Sequence, residues 1–293
     1  MNSTQQSSET APDHTGQSDP STPMLYVVAT PIGHLHDISQ RALEVLRSAQ
    51  EILCEDTRTS NVLLRHYGIQ AKLSALHDYN ETQKTSAILQ KLEAGQTLAL
   101  ISDAGTPLIS DPGYILVAAA RAAGFTVRAV PGPCALIAAL SICGLPCERF
   151  CFEGFLPANN KGRRDKLTAL QDEPRTLVFY ESTHRIIEML ADVVTVFGAD
   201  RRISVVKEIT KHFENAFTGP ASEIAGKIAS DSNLQRGEFV VVIQGAPEKS
   251  DAEVEARRAF AILSESMSKS QAAKLAAKLT GVSRRVIYAG VED

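Results

Sequence analysis

Short apolar runs recur along the first half of the chain, and between them apolar side chains return at helical spacing. The runs at residues 24–29, 51–54, 73–76, 97–101 and 126–130 have the length and composition of buried strands. Ile38, Ala42, Val45, Leu46 and Ala49 mark the apolar face of a helix that Asp37 would cap. Further helices are predicted over residues 57–66 and 81–93, from near Pro112 to Ala123, and over residues 133–142. Pro112 and Pro133 suit first helical turns, and Gly124 suits a helix stop. Alternation of strand and helix implies a mostly parallel sheet.

Gly144-Leu145-Pro146 interrupts that pattern. Beyond it, strands are predicted at residues 150–155, 176–180, 203–208, 212–217 and 239–244, with helices near 163–170, 183–197 and 221–229. Only Ile209 to Lys211 separate two of these strands, which predicts a hairpin and a second, mixed sheet. After Ala246-Pro247 the pattern turns helical, with short helices predicted at 252–264, 270–279 and 283–288 around a Lys278-to-Ser283 turn that resembles a helix-turn-helix joint. The expected organisation is a tail over 1–23, an α/β domain over 24–146, a second α/β domain over 147–247, and a helical appendix over 248–293.

Composition adds modestly to this picture. With 293 residues, 44% hydrophobic and 22% charged, the chain has the make-up of a soluble globular protein. A net charge of −4 gives no overall nucleic-acid signature, so a polyanion would have to be held by local patches. Two such patches exist. One is Lys161, Arg163 and Arg164; the other is Lys274, Lys278, Arg284 and Arg285, in a stretch without acidic residues between Glu265 and Glu292. Residues 1–23 are rich in Ser, Thr, Gln and Pro, and are expected to be disordered and not a signal sequence. No apolar run approaches the ~18 residues that would cross a bilayer, and a cytoplasmic location is expected. Cys54, Cys134, Cys143, Cys147 and Cys151 lack metal-ligand spacing and are expected to be buried small hydrophobes, with no metal bound.

The chemistry lies in three loops that follow strands: Ala29-Thr30-Pro31-Ile32-Gly33, Ser102-Asp103-Ala104-Gly105-Thr106-Pro107 and Pro131-Gly132-Pro133. A parallel sheet sets such loops side by side at the carboxyl edge of its strands, where backbone groups can approach a ligand. None carries the Lys of a nucleotide-triphosphate loop or the GxGxxG of a dinucleotide site. Small residues with one Asp suit an uncharged adenosine and a zwitterionic amino acid, as in S-adenosylmethionine.

These runs, extended through Leu108-Ile109-Ser110-Asp111-Pro112-Gly113, resemble the S-adenosylmethionine-dependent tetrapyrrole methylase superfamily. Cys54-Glu55-Asp56-Thr57-Arg58, Phe179 to Arg185 and Lys207 to Lys211 are similar to its ribosomal RNA small-subunit methyltransferase I branch, which methylates the ribose 2′-hydroxyl of a cytidine. His34, Cys134, Thr183 and Lys207 depart from the branch pattern, where Asn, Ser, Pro and Arg are usual. The resemblance implies two α/β domains with a cofactor cleft between them, a homodimer, and small-subunit ribosomal RNA or the assembled subunit as partner. It also implies that Pro31 and Ile32 line the cofactor, that Asp103, Gly105 and Thr106 meet its polar groups, and that Cys134 and Ala135 flank it. Tyr180 and Gln244 would reach it from the second domain.

A ribose hydroxyl attacks well only if its proton is accepted, and Glu181, His184, Glu208 and Lys211 are the candidate bases. Each also reads as a surface ion pair or phosphate contact. Lys161, Arg163, Arg164 and Arg185, with the four appendix cations, are the candidate RNA contacts. Two other functions fit the same loops: methylation of a tetrapyrrole or other metabolite, and non-catalytic sensing of an adenosyl ligand by a nucleic-acid-binding protein.

Overall fold

The computed structural model describes residues 23–247 and 251–288; the expectations for residues 1–22 fall outside it. The first sheet contains β1 (Met24–Val28), β2 (Glu51–Cys54), β3 (Leu73–Ala75), β4 (Leu98–Leu100) and β5 (Thr126–Val130), in the order β3-β2-β4-β1-β5. Every pairing in it is parallel. Its crossovers are α1 (Gln40–Ser48), α2 (Thr57–His66), α3 (Glu81–Glu93) and α4 (Tyr114–Ala122). The strands are short and apolar because helices bury both faces: Ala42, Val45 and Leu64 pack on one side, Ile88, Leu92 and Leu116 on the other.

Helix starts differ from the sequence expectation in three places. Asp37 closes a short 3-10 turn, and Ser39 caps α1 by accepting from the Ala42 N–H at 3.1 Å. Pro112 and Pro133 each stand one residue before the N-cap, at Gly113 and Cys134. Gly113 turns the chain at φ 126, which the fixed φ of proline cannot do.

The second sheet is mixed. It runs β6 (Phe150–Phe155), β7 (Thr176–Ser182), β10 (Glu238–Ile243), β8 (Arg202–Lys207), β9 (Asn215–Pro220). β6 and β7 are parallel, and the other pairings are antiparallel. The β8–β9 hairpin forms, but β9 starts at Asn215 and not at 212. Positive φ at Glu208 and Thr210 folds the intervening residues into a turn. Helices α6 (Asn160–Ala169), α7 (Ile186–Phe197) and α8 (Ala221–Ser230) cover one face. The other face is covered by α5 (Ala135–Ile142), which precedes the Gly144-Leu145-Pro146 break. Leu136, Ala139 and Leu140 of α5 pack on Val178, Val206, Val240 and Val242, so one apolar cluster joins the two halves.

Helices α9 (Asp251–Ser264), α10 (Lys269–Thr280) and α11 (Arg284–Tyr288) share a small core of Ala256, Phe260, Ala272, Ala273, Ala276 and Ile287. Among the described residues, no helix is long and apolar enough to cross a membrane, and no His/Cys/Asp/Glu group could hold a metal ion. Cys54 and Cys143 are buried, Cys134 and Cys151 are half-buried, and Cys147 is exposed, contrary to the expectation for it.

Candidate functional site

The three loops pin one another through their backbones. Thr30 and Gly105 exchange two hydrogen bonds, at 2.8 and 3.1 Å, and the Thr106 hydroxyl donates to the Pro133 carbonyl at 2.9 Å. Gly105 has φ 84, and a Cβ there would lie 3.2 Å from the Ile32 side chain. Glycine is required at that point by both conformation and space. The result is a floor of small residues at the carboxyl edge of the parallel sheet.

The second sheet provides the facing wall. β7 and β8 end at this edge, while antiparallel β10 begins here, which brings Tyr180, Val206 and Phe239 together. A bulge between Phe152 and Gly154 swings Phe155 into the wall, where its ring meets that of Tyr180 at 5.7 Å. The Tyr180 hydroxyl accepts from the Leu136 N–H at 3.0 Å, so the first turn of α5 ties the wall to the floor. The cleft between them has a volume of about 320 Å³, within the range of small-molecule sites.

Backbone strain is concentrated on its two rims. Among the described residues, the non-glycine residues with positive φ are Leu108, Ser110, Glu208 and Thr210, two on the loop after β4 and two on the loop after β8. Such conformations persist where the surroundings enforce them, often at ligand sites. Here, Ser110 fits against Gly154 across the cleft and the Thr210 hydroxyl accepts from the His34 N–H at 3.1 Å.

The electrostatics are acidic. Asp103 and Asp111 line the cleft. Burial, opposed by a hydrogen bond from Ser102 and reinforced by Glu55, Asp103 and Asp78, pushes the Asp111 carboxyl up to about 6. Burial and the neighbouring Asp103 and Asp78 raise Glu55 as well.

Of the residues predicted from the sequence, Ile32, Asp103, Gly105, Thr106, Cys134, Ala135, Tyr180 and Glu181 come together around this cleft. Pro31 is buried beside it and is not on its surface. Gln244 is a correction. β10 runs antiparallel to β7, so its far end lies beyond the start of that strand, where Gln244 shares a separate groove with Pro146 and Arg149. The residues that β10 brings to the cleft are Glu238, Phe239 and Val240.

The candidate bases divide. Glu181 is 2% exposed, with Oε1 accepting from the Ser182 N–H at 2.8 Å and Oε2 paired to Arg185 at 3.3 Å. Lys211 is a correction: burial pulls its pKa down, but hydrogen bonds to Glu238 and Glu208 outweigh that and raise it, which is the wrong direction for a base. Glu208 moves the wrong way too, since its bonds with the Glu238 N–H and Lys211 outweigh burial and lower it. His184 is exposed and lies off the cleft.

Among the predicted RNA contacts, Arg163 is also a correction. It is fully buried and donates to Asp192 at 2.6 Å, so its charge is held inside the fold. Arg185 is spent on the loop after β6, donating to the Leu156 and Pro157 carbonyls. Lys161, Lys274, Lys278, Arg284 and Arg285 are exposed; Arg164 is exposed too, but its Nε donates to Asp192 at 2.6 Å. The sequence pattern carries no signal for Asp111 or Phe155: Pro112 beside Asp111 reads as a helix start, and a bulge that turns a side chain inward leaves no periodic trace.

The family model for Tetrapyrrole (Corrin/Porphyrin) Methylases matches residues 24–225, and one for an RsmI C-terminal HTH domain matches residues 250–290. The chain is similar to the Ribosomal RNA small subunit methyltransferase I of Xylella fastidiosa (strain Temecula1), at 53% identity over 92% of this chain and 100% of that one. It is similar to the protein of the same name from Escherichia coli O157:H7, at 50% identity over 92% and 95%. Among solved structures, it resembles the uroporphyrin-III-C-methyltransferase of Thermus thermophilus, with a TM-score of 0.53, 20% identity, and coverage of 76% of this chain and 94% of that one. Diphthine synthase superposes with a TM-score of 0.57 at 15% identity, covering 75% and 90%. At such identities the structural likeness speaks for the fold alone.

Proposed function

From the premise that the chain belongs to the tetrapyrrole methylase family, we propose that it transfers the methyl group of S-adenosylmethionine to the 2′-hydroxyl of a cytidine ribose in small-subunit ribosomal RNA. The observation that carries this reading is the cleft itself: a floor of pinned backbone loops, an apolar wall, and carboxylates at Asp103 and Asp111. That donor set fits a ligand with an adenine, a thioether-like chain and net positive charge. Ile32, Cys134 and Ala135 would flank it, Asp103 and Thr106 would meet its polar groups, and Tyr180 would close the side toward the second sheet. When bound, the cofactor supplies a methyl group already activated on a sulfonium.

The protein's contribution is positioning. A displacement at carbon needs the attacking oxygen in line with the breaking bond, and a fixed cleft supplies that geometry in place of a chance encounter. RNA would be held by exposed Lys161 and Arg164 at the start of α6, which follows the Phe155 wall directly, and by the appendix cations Lys274, Lys278, Arg284 and Arg285. Glu181 and Arg185 brace that wall. A polyanion gains most from such clustered contacts at low salt. The match over residues 250–290 supports RNA over a tetrapyrrole or other small metabolite. The cytoplasm, where ribosomal subunits reside, is the corresponding location. A homodimer is part of the same reading, and exposed Ile137 and Ile142 on α5 offer it apolar surface.

Calorimetry tests the cofactor assignment. S-adenosylmethionine should bind stoichiometrically without added metal, and Asp103→Ala should weaken binding by about tenfold, the scale of one hydrogen bond to a charged group. Absence of binding by the intact protein would refute the assignment.

A further inference from the structure

On the cleft surface, the loop between β4 and α4 carries a carboxyl group placed to accept a proton, that of Asp111. The loop is held firmly: Leu108 and Ser110 sit at φ 73 and 66, and a Cβ at Gly113 would collide with Leu100 and Leu108 at 2.7 and 3.1 Å. Ser110 rests against Gly154 of the second sheet. Asp111 is thereby fixed where the two halves meet.

Its surroundings are those of a base. Ser102, itself 3% exposed, places its hydroxyl near enough to the carboxyl to hold its pKa down. Glu55, Asp78 and Asp103 face it from the loops after β2, β3 and β4, and Tyr180 from β7. Glu181 and Glu238 line the same cleft from β7 and β10. Neighbouring negative charge and burial both increase a carboxylate's hold on a proton. Glu181, by contrast, is already paired with Arg185.

We propose that Asp111 is the proton acceptor for the ribose 2′-hydroxyl, an inference that rests on the ribose-methylation reading above. As the ribose oxygen bonds to the methyl carbon, the carbon–sulfur bond breaks with its electron pair left on sulfur, and the hydroxyl proton passes to the Asp111 carboxylate and then to water. The timing favours Asp111. A cationic sulfonium in the cleft keeps the carboxyl ionised before transfer, and loss of that charge during transfer raises its proton affinity as the proton arrives.

The test uses the full chain, small ribosomal subunits and methyl-labelled S-adenosylmethionine. Asp111→Asn should slow methylation at saturating cofactor by roughly 10²-fold or more, a loss that added cofactor does not repair, while calorimetry finds cofactor affinity lowered by no more than about tenfold, the scale of one contact to a charged group. The wild-type profile of log kcat/KM should fall below about pH 6, the range of the Asp111 carboxyl, and that limb should be absent in Asp111→Asn. Ser102→Ala keeps the carboxyl but removes the hydrogen bond that lowers its pKa, so the limb should move to higher pH. A near-normal rate for Asp111→Asn would overturn the proposal. So would lost cofactor affinity with the rate at saturation intact, which would make Asp111 a cofactor ligand, or an unmoved limb in Ser102→Ala. If the wild type forms no 2′-O-methylcytidine, the ribose-methylation reading falls, and this inference with it.

Discussion

The two halves of the molecule build the same cleft by different means. In the first half every strand is parallel, all strand ends of one polarity share an edge, and the site is made of backbone: Thr30 locked to Gly105, and Thr106 locked to Pro133. In the second half the strands run both ways, and the contribution comes from side chains, with Tyr180 and Phe239 arriving from the end of one strand and the start of another. A parallel sheet positions ligands through loops that tolerate few side chains. A mixed sheet positions them through the side chains themselves, and these rely on packing and ion pairs behind the wall.

The sharpest break in that comparison should come from Arg163. If the second half is braced by buried charge, Arg163→Ala leaves a cavity in the core and leaves Asp192, only 1% exposed, with the half-exposed Arg164 as its remaining partner. The expected loss is roughly 3–5 kcal/mol of stability, read by urea unfolding. Lys161→Ala, which removes an exposed cation of the same helix start, should leave that stability intact and weaken RNA binding instead. Equal unfolding midpoints for Arg163→Ala and wild type would remove the brace from the account.

In the first half, Gly105 and Gly124 separate backbone strain from site chemistry. Both have positive φ, 84 and 83, but a Cβ at Gly105 meets Ile32 while one at Gly124 meets nothing within 4 Å. Valine at either position should cost on the order of 1–3 kcal/mol. Only Gly105→Val should also reduce S-adenosylmethionine affinity, by about tenfold or more, as ~1.4 kcal/mol of lost contact would do. Similar affinity loss in both variants would mean that global softening, not the loop floor, controls binding.

The smallest effect concerns Asp111 and stability. Its folded-state pKa lies above the unfolded value, so its contribution to stability is fully present below about pH 4 and falls away as pH rises toward about 6. That advantage is lost as pH rises through 6. At pH 7 the buried charge is a cost, and Asp111→Asn should raise Tm by a few degrees, roughly the effect of 1 kcal/mol. At pH 4 the gain should disappear. A variant equally stabilised at both values would point to a cause other than ionisation.

The same contrast explains what was legible in the sequence. Following each apolar run to its end located the loops after β1, β4 and β5, because in a parallel sheet every run ends on the side of the site. That rule leads to Asp103 and Gly105, which line the cleft, while Cys134 beside them came from the resemblance. Gln244, which the resemblance implied, lies at the other edge, since the direction of β10 is set by long-range pairing that no local pattern records. Arg163 and Arg164 look equivalent as neighbours, but adjacent residues on a helix point about 100° apart, and here one turns into the core while the other faces solvent. Asp111 leaves no local signal, because the Pro112 beside it reads as a helix start.

The central claim is that this cleft passes a methyl group to a ribose hydroxyl of small-subunit ribosomal RNA. Small subunits from cells lacking the gene, incubated with the purified protein and methyl-labelled S-adenosylmethionine, then digested to nucleosides and weighed by mass spectrometry, test it directly. The account predicts label in 2′-O-methylcytidine. Label on a nucleobase, or none in RNA from a protein that binds the cofactor, would contradict it.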